Sequence, residues 1–118
     1  MNVTPVLKDA VAKRLAASYK KAFKTPDSAN GQHMAGIVLA VAEKPGRTPI
    51  EISQALGLSL ATTARYLDFL YDGPVRNKGA LDIIVFSDDP SEPRRRLIHL
   101  SRSGQDFLAD IMRSEPVN

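Results

Sequence analysis

Apolar positions recur every three or four residues along most of the chain, and the pattern changes to short β-rich runs after residue 80. Leu7, Val11, Leu15, Tyr19 and Phe23 form one four-residue stripe that predicts a long first helix. Thr4 is its expected N-cap, Pro5 suits its first turn, and Lys24-Thr25-Pro26 stops it. The stripe can pack on this chain or on a second copy. Asp27 or Ser28 caps a second helix running to about Glu43. Its stretch Met34–Ala42 is nearly all apolar, and a helix hydrophobic all round is a buried one. Lys44-Pro45-Gly46-Arg47 is a turn.

Thr48-Pro49-Ile50-Glu51 has the form of a capping box with proline at the first helical position. The helix it opens is short, because Gly57 follows Leu56 as a C-terminal stop. Ser59 caps the next helix, which runs to about Tyr71, and Asp72-Gly73-Pro74 ends it. Ile50, Ile52, Leu56, Leu58, Thr63, Leu67 and Leu70 are the expected shared core of this helix-turn-helix. Leu81–Phe86 and Arg96–Leu100 read as strands, joined by the turn-forming Ser87-Asp88-Asp89-Pro90-Ser91-Glu92-Pro93, so a hairpin with a long tip is predicted. Ser101 caps a last helix to about Arg113, buried through Phe107, Leu108, Ile111 and Met112. The fold class is mainly α with a small β-hairpin, in the order α-α-α-α-β-β-α.

Composition narrows the chemistry. The 118 residues carry no cysteine, which excludes disulfide scaffolds, thiolate zinc sites and thiol-based sensing. The longest apolar run, Ile37–Ala42, is far short of the roughly 20 residues of a membrane helix, and the first residues lack a signal-peptide layout. A cytoplasmic protein with no membrane partner is expected. Charge is regional: the net is +3, yet Lys8, Lys13, Arg14, Lys20, Lys21 and Lys24 crowd the first helix and Arg94-Arg95-Arg96 form a second cluster. Such a balance permits nucleic-acid binding without demanding it.

Over residues 34–108 the chain resembles the MarR-type winged-helix transcriptional regulators. Ile50-Glu51-Ile52-Ser53-Gln54-Ala55-Leu56-Gly57-Leu58-Ser59 is similar to that family's supporting helix and turn, and Thr62-Thr63-Ala64-Arg65-Tyr66-Leu67-Asp68-Phe69-Leu70 to its recognition helix. Glu92–Gly104 resembles its wing, with Arg94 on the wing-tip arginine and Ser101 and Gly104 on the Thr and Gly that follow the strand. Glu92 stands where the family usually has Asp, and Leu60 and Ala61 stand where polar or basic groups are frequent. The resemblance implies one winged-helix domain over 1–118: a dimerisation helix at 1–26, the helix-turn-helix at 48–73, the wing at 81–100 and a C-terminal helix at 101–114. It also implies a homodimer on double-stranded DNA and leaves room for a small-molecule effector.

The candidate DNA contacts are Ser59, Thr62, Arg65 and Tyr66 on the recognition helix and Arg94, Arg95 and Arg96 on the wing. At about 100° per residue, Thr62, Arg65, Tyr66 and Phe69 fall opposite a seam of Leu60, Ala64, Leu67 and Tyr71. A helix in the major groove would use Arg65 on guanine or phosphate and the hydroxyls on phosphate or base edges. The arginines would enter the minor groove, whose narrow A·T-rich stretches have enhanced negative potential. The bland alternatives are a solvated helix face and charges that blunt an edge strand. His33 and His99 are too far apart to suggest a metal pair, and Asp88-Asp89 read as turn residues. No phosphate loop or nucleophile–base pair is present in the sequence, so neither an enzyme nor a cofactor is expected. Two functions stay open: a sequence-specific regulator of transcription, and a winged helix used for protein–protein contact or assembly.

Overall fold

The computed structural model describes residues 4–18, 28–71 and 82–114. Five helices and one hairpin follow in the expected order: α1 (Thr4–Ser18), α2 (Ser28–Glu43), α3 (Pro49–Leu56), α4 (Leu60–Leu70), β1 (Ile84–Asp89), β2 (Glu92–Leu100) and α5 (Arg102–Ser114). Tyr19, Phe23, the stop at 24–26, the Asp27 cap, the stop at 72–74 and Leu81 lie outside the described residues.

α2 is the central beam. Met34, Ala35, Ile37, Val38, Ala40 and Val41 are all buried, as a helix apolar on every side requires. α1 lies along it and buries Val11 and Leu15, so this part of the stripe is covered within the chain itself. α4, the hairpin and α5 complete the core through Tyr66, Leu67, Leu70, Ile83, Ile84, Ile98, Leu108 and Ile111. Met112, expected inside, is 53% exposed: it follows Ile111 around the helix and falls on the outer side. Ile50, also expected inside, is 53% exposed, because Ile52 takes the inward position of the short α3.

Local signals explain the helix ends. The Thr48 hydroxyl accepts from the Glu51 N–H (3.2 Å) and the Thr48 N–H donates to Glu51 Oε1 (3.2 Å), so the capping box is closed in both directions. Gly57 ends α3 with φ at +68°, a left-handed conformation that glycine adopts without a Cβ clash. Ser59 Oγ accepts from the Thr62 N–H at 3.1 Å and starts α4. Ser101 Oγ accepts from the Gly104 N–H at 2.8 Å and starts α5.

The hairpin differs from its expected form. β1 and β2 pair antiparallel from Ile84↔Leu100 to Asp88↔Arg96, and the turn is confined to Pro90-Ser91. Asp89 tightens it by accepting from both the Ser91 N–H (2.9 Å) and the Ser91 hydroxyl (2.7 Å). The long polar tip therefore becomes strand plus bulge. Between the pairs Asp88↔Arg96 and Asp89↔Glu92, residues 93, 94 and 95 of β2 fall outside the ladder register with β1.

The hairpin is stitched to the helix-turn-helix at two points. Gly46 N–H donates to Ile98 O (2.9 Å) and Ile98 N–H to Arg47 O (2.8 Å), one residue before the Thr48 cap. At the other end Ile83 N–H donates to Leu70 O (2.8 Å), and Tyr71 forms a parallel bridge with Ile84. Among the described residues no helix is long and apolar enough to cross a membrane.

Candidate nucleic-acid interface

The phase of α4 decides which of its side chains are available. Its buried positions are Thr63, Tyr66, Leu67 and Leu70, a seam at i, i+3, i+4 and i+7. Thr63 is admitted to the core because its hydroxyl donates back to Ser59 O at 2.9 Å. Tyr66 is 4% exposed, and its hydroxyl lies 3.2 Å from His33 Nδ1 on α2. The expected outward position of Tyr66 is thus corrected: the ring is core, and its polar end is satisfied inside. Leu60 and Ala64, assigned to the inner seam, are instead exposed, and Phe69 is half-buried against the core.

Leu60, Ala61, Ala64, Arg65 and Asp68 are the exposed residues of α4. Arg65 is exposed on α4 and makes no hydrogen bond or ion pair among the described residues. Ser59 and Thr62 are occupied with each other: the Ser59 hydroxyl donates to Thr62 Oγ1 at 2.8 Å while accepting the Thr62 N–H. Their first duty is to cap α4.

The three wing arginines, all exposed, have three different surroundings. Arg95 pairs with Asp89 at 3.7 Å across the bulge. Hydrogen bonds from Ser91 chiefly, with the Arg95 charge adding to them, hold the Asp89 carboxyl below its usual range. Arg96 stacks its guanidinium over the Phe86 ring, 5.3 Å from the centroid, and Phe86 meets Tyr71 edge-on at 4.9 Å. Arg94, in the bulge, has no ion pair among the described residues. The bulge breaks the alternation of faces that a regular strand would give these residues.

Arg94, Arg95 and Arg96 line one open groove of about 420 Å³ with Thr48, Pro49, Ile50, Glu51 and Leu60. The groove brings the wing, the start of α3 and the start of α4 to one side of the molecule. Glu51 is the acidic member, and the Thr48 N–H and hydroxyl hold its carboxyl below the usual range. Elsewhere, His99 Nε2 lies 2.8 Å from Ser87 Oγ within the hairpin, a structural contact. Sequence reasoning missed Ile50 and Leu60 as members of this surface. Among the described residues no cluster of three or more His, Asp or Glu could hold a metal ion.

This arrangement, a helix-turn-helix with a hairpin stitched beside its second helix, defines a winged helix. Comparison with solved structures agrees. The E. coli MarR mutant complexed with operator DNA is 17% identical, with a TM-score of 0.58 over 93% of this chain and 64% of that one. CouR, a transcriptional repressor bound to a 23-mer DNA duplex, is 23% identical, with a TM-score of 0.56 over 87% of this chain and 63% of its own. FabT of Streptococcus pneumoniae in complex with DNA is 20% identical, with a TM-score of 0.55 over 70% of this chain and 52% of its own. The chain therefore has the MarR-type winged-helix fold, and it spans about half of the FabT chain and less than two thirds of the other two. No protein-family model matches the sequence, and no curated protein matches it.

Proposed function

We propose that this protein is a homodimeric, double-stranded-DNA-binding regulator of transcription, with α4 in the major groove and the hairpin at the adjacent minor groove. The observation that carries the proposal is the single groove shared by Leu60 at the start of α4 and the three wing arginines. A recognition helix and a cationic strand tip set on one side suit a surface whose grooves alternate and whose edges are phosphate. Arg65 is the base or phosphate contact on the helix, and Arg94 is the reaching cation of the wing. Arg95 and Arg96 act closer to the body of the hairpin. Ser59 and Thr62 contribute from the helix start only as far as capping leaves them free. DNA-bound structures of the same fold support the reading.

A C2 pair places two such surfaces about one helical turn (roughly 34 Å) apart. Leu7, Val11 and Leu15 pack within the chain, so the contact expected from residues 5–24, helped by 101–114, falls to the outer side of α1 as far as Ser18, and residues 19–24 lie outside the described residues. Arg14 and Asp110, 3.2 Å apart, already tie those two segments together within one copy.

The test is a titration of the full chain with the duplex flanking its own gene at several salt concentrations. Neutralising several phosphates makes log K fall steeply with log salt, with a slope of about −0.9 for each phosphate. A flat salt dependence, or no preference over random duplex, overturns the proposal in favour of protein–protein contact.

A further inference from the structure

The outward face of α4 is poor in the groups that usually read base edges. Leu60, Ala61, Ala64, Arg65 and Asp68 fall within one arc of about 140° at 100° per residue. Three of the five are apolar, and Leu60 is 47% exposed. Beside it, Ile50 is 53% exposed on the same groove. A large aliphatic side chain left in water on the first turn of a helix earns nothing for the fold. Burial in the core is not its purpose either, because Thr63, Tyr66, Leu67 and Leu70 already fill that side.

We infer that this stripe reads thymine, through the C5-methyl groups that A·T pairs present in the major groove, with Leu60, Ala61 and Ala64 as the specificity-determining residues. The inference rests on the DNA-binding reading and deepens it. The thymine methyl is the one apolar feature on a base edge in that groove, and aliphatic side chains are its natural contacts. Charge selects a nucleic acid over an apolar protein helix as the occupant. Arg65 shares the stripe, and Arg94, Arg95 and Arg96 border the groove that Leu60 lines. An apolar helix laid there would gain from Leu60 and Ile50 but would strip water from those guanidinium groups without supplying anions. DNA supplies both the methyls and the phosphates. Arg65, at the edge of the arc, is placed to take a neighbouring guanine or a phosphate, so the expected half-site is thymine-rich beneath the start of α4.

The experiment uses the full chain and a random-sequence duplex library. The most enriched duplex is resynthesised with each thymine in turn replaced by uracil, which keeps base pairing and removes only the methyl. The expected result is a loss of about fourfold in affinity at one to three thymines of a half-site, the worth of one buried methyl-sized group each. In the Leu60→Ala variant the uracil penalty at one of those positions should shrink towards none; this exposed substitution leaves the fold in place. Selective binding that no uracil replacement weakens overturns the inference while the DNA-binding reading stands. A uracil penalty undiminished in Leu60→Ala removes Leu60 from the readout and overturns the assignment of the stripe. Failure of the library to enrich any duplex overturns the DNA-binding reading, and the inference with it.

Discussion

Alanine substitution at two glycines should move stability in opposite directions. Gly36 lies inside α2, where a Cβ would meet Leu56 Cδ2 at 3.6 Å and Lys8 Cε at 3.8 Å, ordinary contacts. Gly36→Ala should gain the usual helix preference of alanine, about 0.5–1 kcal/mol. Gly104 sits in the first turn of α5 against the start of the hairpin. A Cβ there would overlap the Ile83 carbonyl oxygen and lie 2.9 Å from Ile83 C and 3.2 Å from Ile83 Cα. The obstacle is backbone, so no rotamer change relieves it. The same carbonyl accepts the Ser101 N–H at 2.9 Å, and the Ser101 hydroxyl donates to Asp82 O beside it. Overpacking of this kind costs about 1–3 kcal/mol. Pulling the two segments apart adds about 1 kcal/mol for each hydrogen bond lost. Gly104→Ala should therefore lose about 3–5 kcal/mol, a large part of the stability of a domain this size. In thermal and urea unfolding its midpoint should fall by more than about 10 °C, while Gly36→Ala holds or rises. If Gly104→Ala costs less than about 1 kcal/mol, the close approach of α5 to the hairpin is not as described, and the reasoning fails.

Four further outcomes are expected. Arg65→Ala should leave the unfolding midpoint unchanged and cost about 1–3 kcal/mol on a selected duplex by fluorescence anisotropy; unchanged affinity would remove α4 from the groove. Arg94→Ala should weaken binding to all duplexes, reduce the dependence on A·T content beneath the wing and lower the salt slope by up to about one unit, and a salt titration overlaying the wild type would show the arginines to be edge protection. Light scattering at micromolar concentration should find about twice the 12.9 kDa of one chain; a monomer alone would sink the dimer. The Glu51 carboxyl is held below its ordinary range by the Thr48 N–H first, so its support of α3 is present above that range and lost as pH falls through the lowered value. Acid unfolding curves of Glu51→Gln should be flatter on that limb than those of the wild type, and identical curves would count against the capping box as a pH-dependent element.

Much of the fold was legible because its signals are local. The Thr48–Glu51 box, Gly57, Ser59 and Ser101 each act within three residues, and all four function as caps or stops. The phase of α4 was harder to read because its burial depends on other elements. Leu60, Ala64, Leu67 and Tyr71 make a regular apolar ladder, but Leu60 and Ala64 are exposed and the core takes Thr63 and Tyr66 beside Leu67, each through a hydrogen bond invisible in a hydropathy pattern. A usable signal is present all the same: Thr63, Leu67 and Leu70 are expected inside, and at about 100° per residue position 66 lies beside that seam, about 40° beyond Leu70. The hairpin tip departs from its expected form for another reason. Pro90 and Pro93 suggest a loop, yet the extra length is absorbed as a bulge on one strand, a choice that the Asp89–Ser91 turn makes. The exposed Ile50 and Leu60 could not be told from core residues by type alone, since aliphatic side chains usually face inward.

The backbone hydrogen bonds at Gly46, Arg47 and Ile98, with those joining Leu70 to Ile83, make the wing and the helix-turn-helix one stiff bracket. Neither arm of the bracket can lengthen its reach without breaking the other's anchorage. On DNA, as proposed, a single copy would be a fixed gauge, able to fit one local groove width and poorly able to follow another. In the proposed dimer, any tolerance for duplex sites of different spacing would have to be built where two brackets meet. In that dimer, a change of a few degrees at the joint would be enough to throw one gauge out of step with its twin, with the proposed DNA-facing surface itself untouched.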